Sequence, residues 1–429
     1  MSALPSTRRR FLTATGGLCA GLAVPYGFTS RSLADESKND RPLLGAIGLG
    51  GQGSSIADRA RKFGDLVAVC DVDRNHAERA RERFGGKADI YEDYRKLLDR
   101  KDIAAVTIGT PDHWHTTVAL AALRAGKDVY CEKPLTLTIA EGQLLIKAVQ
   151  ETGRVFQVGT QQRSDARFRQ ACELVRNGRL GKLRTITVSL PRSTKMGGPF
   201  ETRPAPENLN WDLWQGQAPS HDYCSERCHH DFRWWYEYSG GIMTDWGAHH
   251  MDIAHWAMGV ERSGPMTIEG KVAADERKRI GDAQHTNSFN TAGEFTVQFV
   301  YPGDVTVEVV LGGEGVLFEG DGGRLYVNRR KITGKPVEEL TENPLPADAT
   351  RLYESNDHMG NFFECIKTRR QPISDVESQH RSVSACHLAN ISLRLGRKLS
   401  WDAAKERFVG DSQADGMLQR PQRAPYEVA

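Results

Sequence analysis

The chain carries almost no net charge: 57 Lys and Arg residues face 55 Asp and Glu, a formal +2 over 429 residues. A surface with no basic excess gives no grip on phosphate backbones or an acidic bilayer, which argues against nucleic acid as a partner. Cysteine is scarce, with 8 residues, and Cys19 lies in a segment expected to be removed, so an odd number remains. An odd set excludes a complete disulfide framework. Internal repeats and low-complexity tracts are absent, which excludes solenoids and tails. The one apolar stretch near the N-terminus is rich in Gly and Thr and shorter than the ~20 residues of a membrane span, so stable membrane insertion is not expected. What remains is ordinary globular material, 39% hydrophobic and 26% charged, long enough for two domains.

The N-terminus reads as a leader outside the fold. Thr7-Arg8-Arg9-Arg10-Phe11-Leu12 precedes a weakly apolar run to Phe28, and Ser32-Leu33-Ala34 offers small residues for cleavage. The arginine pair followed by x-Phe-Leu resembles a bacterial twin-arginine signal, implying export by that machinery to the periplasm and cleavage near Ala34. The expected division is leader 1–34, a dinucleotide-binding domain 35–162, and a substrate-binding and oligomerisation domain 163–429.

From Leu43 to Thr160, apolar runs such as LLGAIGLG, LVAVCDVD and AAVTIGTP alternate with amphipathic segments of ten or more residues. Fully apolar strands separated by helices mean parallel strands with right-handed crossovers, a doubly wound α/β sheet. Asn75 is expected to cap the second helix. Beyond Gln162 the rhythm changes to KLRTITVSL, MTIEGKVAA, TAGEFTVQFVY, DVTVEVVLG, VLFEG and GRLYVN. These alternate polar and apolar residues and are joined by short turns, which predicts a mostly antiparallel sheet with one open face in an α+β domain. Residues 357–397 read as largely helical, followed by a polar tail. An open sheet face invites a second copy, so a homo-oligomer is expected.

Gly48-Leu49-Gly50-Gly51-Gln52-Gly53 fits G-x-G-x-x-G directly between a strand and a helix, the setting the dinucleotide fingerprint requires. Gly48 permits the turn, Gly50 close approach of backbone to a pyrophosphate, and Gly53 tight helix–strand packing; the helix N-terminus, with Gly51 and Gln52, faces the phosphates. Asp71 ends the second strand, where an acid accepts ribose hydroxyls and repels a 2′-phosphate, so NAD is favoured; Arg74 leaves NADP open. Thr110 and His115 lie at the carboxyl edge of the fourth strand, and Glu132-Lys133-Pro134 at that of the fifth. Ligands of open parallel sheets bind at this edge.

Asp245, His249 and Asp252 are spaced i, i+4, i+7 on an expected helix and so share one face. A histidine suits proton transfer from an alcohol, a carboxylate can orient it, and Lys133 can stabilise an alkoxide. Gln162 and Arg163 open the second domain. Trp211 beside Asp212, and Arg233, Trp234 and Tyr236 before Gly240-Gly241, supply aromatic faces and hydrogen-bonding groups suited to a sugar, although the aromatic residues equally suit a core. No metal is expected at the Asp and His residues. Cys224 and Cys228, with His229 and His230 beside them, are open to a disulfide or a metal clip, and a solvent-side loop is favoured.

Taken together, G-x-G-x-x-G, T-P-x-x-x-H, E-K-P and G-G-x-x-x-D-x-x-x-H resemble the Gfo/Idh/MocA oxidoreductase family, relatives of glucose–fructose oxidoreductase and inositol dehydrogenase. Asn210-Trp211-Asp212-Leu213-Trp214 and His380-Arg381 resemble its secreted, twin-arginine branch. The resemblance implies that Lys133 stands between nicotinamide and substrate, and that Asp245 and His249 bind substrate and move its proton. It implies an NAD(P)-dependent oxidoreductase acting on a CH–OH group of a sugar or cyclitol; the expected export of a folded protein to a compartment without free NAD implies that the cofactor is tightly bound. A redox-neutral NAD-dependent glycoside hydrolase or epimerase is one alternative; a non-catalytic, dinucleotide-bound sugar-binding protein is another.

Overall fold

The computed structural model describes residues 41–281 and 287–428; the expected leader lies outside them. From Pro42 onward the chain forms one compact unit. The first half alternates strand and helix: β1 (Leu43–Ile47), α1 (Gly51–Ala60), β2 (Asp65–Cys70), α2 (Arg74–Arg83), β3 (Asp89–Tyr91), α3 (Tyr94–Leu98), β4 (Ile103–Ile108), α4 (Asp112–Arg124), β5 (Asp128–Cys131), α5 (Ile139–Thr152) and β6 (Phe156–Val158). The six strands are all parallel in the order β3-β2-β1-β4-β5-β6. The order reverses between β1 and β4, and a doubly wound sheet opens its ligand crevice at that reversal. Buried strands such as Asp128–Cys131 and a helix buried over ten of its positions, Asp112–Arg124, show why the apolar runs are continuous here. Asp73, rather than Asn75, caps α2: its carboxylate accepts from Asn75 N at 2.8 Å. An Asp one position before the helix satisfies the orphan N–H groups that Asn75, already inside, cannot.

The second half runs α6 (Ala166–Arg176), β7 (Leu183–Leu190), α7 (Trp211–Gln215), α8 (Ile242–Asp245), α9 (Gly247–Met258), β8 (Thr267–Lys271), α10 (Ala274–Gly281), β9 (Thr296–Tyr301), β10 (Val305–Leu311), β11 (Gly315–Gly320), β12 (Gly323–Val327), β13 (Ile332–Thr333), α11 (Lys335–Glu338), α12 (His358–Thr368), α13 (Val376–Leu395), β14 (Leu399–Asp402) and β15 (Arg407–Phe408). Its strands form a nine-stranded sheet, β13-β12-β11-β7-β10-β9-β8-β14-β15. β7 and β10 pair in parallel and the other neighbours antiparallel, as the alternating patterns predict.

One face of this sheet is buried through Ile186, Val188, Phe299, Val307 and Phe318 beneath α6, α9 and α13. The other carries partly accessible Thr187, Glu308 and Tyr326. α13 is buried around nearly its whole surface because it packs on α9, on β8 and on α5 of the first sheet's helical layer. At its crossing with α5, His380 lies so close to Gly142 that a Cβ there would meet Nδ1 at 2.0 Å. α12 returns to the parallel sheet, packing Met359, Phe362 and Phe363 with Tyr130 and Val155. Among the described residues no helix is long and apolar enough to cross a membrane.

Candidate active site

The turn after β1 is shaped by contact. Gly48 sits at φ +79°, and a Cβ on it would meet Thr110 N at 2.4 Å; one on Gly53 would meet Gly48 O at 1.8 Å. No side chain fits at either position. Gly50 and Gly51 face open space instead, with nothing within 4 Å of an added Cβ. The loop is thus tight where it touches protein and bare where it borders a cavity of about 880 Å³ between the two sheets. Helix α1 begins at Gly51 and leaves its first N–H groups at that wall, a setting suited to phosphate. Gln52 Nε2 donates to Glu132 Oε1 at 2.9 Å, and Gln161 Nε2 donates to the same oxygen at 3.1 Å. Glu132 therefore ties the glycine loop to the E-K-P strand end.

Asp71, at the far end of the cavity, accepts from Leu49 N at 2.6 Å and from Asp73 N at 2.9 Å, and His76 Nδ1 stands 3.5 Å from it. Arg74 is exposed and outside the cavity wall, its backbone N bonded to Asn208 O. Thr110 and His115 line the cavity. The His115 ring is already engaged, Nδ1 with Pro134 O at 2.7 Å and Nε2 with Thr110 O at 3.0 Å. Its place is between the two loops, holding them together.

At the other end, Lys133 Nζ pairs with Asp245 Oδ1, and Arg233 Nη1 reaches Asp245 Oδ2 at 3.2 Å. Burial pushes the Asp245 carboxyl up, but the Lys133 and Arg233 charges outweigh it and hold it below the usual carboxylate range. His249 lines the same cavity, and no described residue hydrogen-bonds its ring; its Nδ1 is buried without a partner. Burial, then the charges of Lys133 and Arg329, depress this imidazole well below its ordinary range. The ring is therefore a neutral acceptor beside an ammonium group, and leaving it unpaired costs ~1–3 kcal/mol that a ligand hydroxyl can recover.

Lys133, Asp245, His249, Gln162 and Arg233 converge on the cavity with the cofactor-motif residues; the other expected substrate residues do not. The i, i+4, i+7 reading assumed one helix. The chain instead breaks at Trp246 between α8 and α9, which separates only Asp245; Asp252 lies on α9 with His249 but is fully buried in the core. There it forms a fully buried bidentate pair with Arg163 (2.8 and 2.7 Å) and accepts from Gln379 and Ser382. Trp234 is buried in the main core. The Tyr236 ring lies between the guanidinium groups of Arg394 (3.9 Å) and Arg420 (3.7 Å). Trp211 stacks on Trp214 at 4.8 Å, and Asp212 binds Arg423 and Tyr426 at the surface. Cys224 and Cys228 are free and buried, not in a solvent-side loop. The turn between them folds inward with Arg227, which pairs with Glu237 at 2.9 Å and covers the Trp235 ring.

Arg329, Asp112, His76 and His229 also line the cavity and were not singled out as site residues. Arg329 comes from the turn after β12 and lies over the Trp246 ring at 4.5 Å. In the amide orientation that satisfies both neighbours, Gln162 accepts from Arg329 Nε at 3.1 Å and donates to His249 O at 3.2 Å. Nothing local marks an arginine in a β-turn as a wall of a site built more than 60 residues upstream. Asp112 was legible as part of T-P-D-H-W-H but not as buried.

Burial raises the Asp112 carboxyl to about 7 from its usual 3.8, although Ser239 Oγ donates to it. The folded chain thus keeps a proton that the unfolded chain has already lost between about pH 4 and about pH 7, so stability falls as pH rises through that window. Asp112→Asn is expected to remove the fall. Its stability relative to wild type should rise by up to ~4 kcal/mol toward pH 8, at ~1.4 kcal/mol per pH unit. Urea unfolding at three pH values checks this, and a difference independent of pH would contradict it.

Residues 44–160 match the model described as oxidoreductase family, NAD-binding Rossmann fold, and residues 168–428 match the C-terminal alpha/beta domain of the same family. The inositol 2-dehydrogenase of Salmonella typhimurium is 36% identical over 145 residues, 32% of this chain and 42% of that protein. The chain thus matches less than half the length of that relative. The scyllo-inositol 2-dehydrogenase (NAD(+)) of Bacillus subtilis is 25% identical over 73% of this chain and 82% of its own. Among solved structures, the aldose-aldose oxidoreductase of Caulobacter crescentus superposes with TM-score 0.62 at 20% identity, covering 84% of this chain and 99% of that one, which shows a shared fold. Two matched family models, covering G-x-G-x-x-G, T-P-x-x-x-H, E-K-P and G-G-x-x-x-D-x-x-x-H, place the chain in the Gfo/Idh/MocA oxidoreductase family.

Proposed function

We propose that the protein is an NAD-dependent oxidoreductase acting on a CH–OH group of a sugar or cyclitol. The observation that carries this reading is the unpaired His249 ring beside the Lys133–Asp245 pair, in one cavity with the bare Gly50-Gly51 loop. The residues fit a dinucleotide: open backbone for the pyrophosphate, Asp71 for ribose hydroxyls, and Glu132 holding the loop. Bound there, the nicotinamide would supply the hydride acceptor. The protein does the rest. Lys133 holds the substrate oxygen and stabilises negative charge on it, Asp245, itself held by Arg233, fixes Lys133 in place, and neutral His249 takes the hydroxyl proton. Gln162 and Arg329 border the substrate side. The relatives named as inositol dehydrogenases support a polyol ring as substrate class. Incubation with a panel of inositols and pyranoses, with borodeuteride trapping of keto products and mass spectrometry, tests the reading; a panel without any keto product speaks against it.

Asp71 at the ribose end and Arg74 outside the cavity favour NAD over NADP. NADH is expected to bind the emptied protein at least ~10-fold more tightly than NADPH. Equal or tighter NADPH binding by calorimetry would contradict this assignment.

The reading includes export. Arg8 and Arg9 form a twin-arginine address, and the mature chain would begin near Asp35 in the periplasm. Arg8→Lys combined with Arg9→Lys is expected to leave unprocessed protein in the cytoplasm on fractionation, and normal maturation of that variant would contradict it. The partly accessible face of the nine-stranded sheet supports a homo-oligomer.

A further inference from the structure

The segment between β7 and α8 reaches back across the parallel sheet at the Asp71 end of the cavity. Leu209 bridges Asp73 in antiparallel fashion, Arg74 N donates to Asn208 O, and Asn210 N donates to Val72 O, both at 2.9 Å. Further along the same segment, His229 Nε2 lies 3.2 Å from Asp73 Oδ2, and its ring centroid is 4.6 Å from that of His76. One ligand atom from each of Asp73, His76 and His229 falls within 4.8 Å of the other two.

The surroundings orient these groups. Asp73 Oδ1 is committed to Asn75 N and Asn208 Nδ2, both at 2.8 Å, which leaves Oδ2 directed at His229. Asp71 stands 3.5 Å from His76 Nδ1, the outer carboxylate that commonly orients a ligating imidazole. His229 holds a left-handed backbone at φ +51°, costly for a residue with a side chain and found where a site demands it. Two imidazoles and one carboxylate are the donor set of borderline first-row cations. Hard Mg²⁺ and Ca²⁺ take oxygen ligands instead.

We infer that Asp73, His76 and His229 form a binding site for a divalent transition metal, with Zn²⁺ the best match, that clips the 191–239 segment to the β2–α2 turn. The donors come from both partners of the clip: Asp73 and His76 from the turn, His229 from the segment. A three-ligand set leaves a fourth tetrahedral position for water. Such a clip would brace the cavity wall beside Asp71. Metal binding stands independently of the dinucleotide reading, because the ligands are formed by the protein alone.

The experiment uses the full chain without a polyhistidine tag, stripped with chelator and titrated with Zn²⁺ and Co²⁺. One equivalent of Zn²⁺ per chain is expected, and Co²⁺ should give the intense visible bands of a four-coordinate site. His76→Ala and His229→Ala should each weaken binding at least ~10-fold, while His230→Ala, whose ring faces Asp231, should leave it unchanged. Thermal melting of each variant without metal separates lost ligation from lost folding. No stoichiometric binding by a folded wild type, or equal binding by both folded ligand variants, would overturn the site. An unaltered rate of proteolysis within residues 191–239 on metal addition would overturn the clip while leaving the site.

Discussion

Replacing His249 with Asn is expected to lower kcat by at least ~100-fold while leaving dinucleotide content unchanged, the scale of a lost acid–base group. The ring is buried beside Lys133, so its proton affinity lies well below the usual histidine value of 6.5. It is therefore neutral across the physiological range and can accept a proton from the substrate hydroxyl. The acidic limb of the pH–rate profile should accordingly lie well below 6.5. Lys133→Ala should lose a similar factor for a different reason: Asp245 remains ionised and buried with Arg233 alone, and no cation meets the alkoxide. Steady-state kinetics with dinucleotide absorbance as a control separates the two functions of the cavity. Near-wild-type kcat in both variants would move the chemistry elsewhere.

The purified mature protein should retain near-stoichiometric dinucleotide through extensive dialysis, and should turn over its substrate many times with none added. This expectation rests on the proposed twin-arginine export, a route that carries folded proteins to a compartment without a pool of NAD. A cofactor that could not be exchanged there would have to be regenerated in place, the hydride taken from one carbon returning to a second substrate or to the same sugar. The net change would be a paired oxidation and reduction, an epimerisation, or a cleavage through a keto intermediate. The crossing of residues 208–210 over the β2–α2 turn, against the Asp71 end of the cavity, supports retention. Protein that emerges empty, with activity scaling with free NAD over a micromolar-to-millimolar KM, would make it an ordinary soluble-cofactor dehydrogenase.

The parallel sheet and the glycine loop were legible because their signals are local. Each strand is one apolar run, and Gly53 and Asp71 are fixed by contacts within a single βαβ unit, to Gly48 O and Leu49 N, while Gly48 also abuts Thr110 after β4. Lys133, Asp245 and His249 were legible as a combination of motifs, and the structure brings them to one cavity. The rest depended on packing between distant segments. Asp252 shares α9 with His249, so helical spacing alone assigns it to the substrate; one turn further along that helix it is fully buried and pairs with Arg163, and each charge satisfies the other away from the cavity. Trp234 and Tyr236 carry the same aromatic signal whether they meet a sugar or the core, and here core packing and two guanidinium faces hold them. Arg329 and His229 enter the wall from turns whose positions no local pattern records.

The proposed chemistry of this cavity is removal of a hydride from a carbinol carbon. The most direct measurement incubates the protein with inositols and pyranoses deuterated at their carbinol carbons, then weighs the dinucleotide released on denaturation. Quenched within a single turnover, the wild type should hold reduced dinucleotide one mass unit heavier than NADH with at least one such substrate, and His249→Asn should hold little. Reduced dinucleotide without deuterium in a quench that has formed keto product would contradict hydride transfer from that carbon.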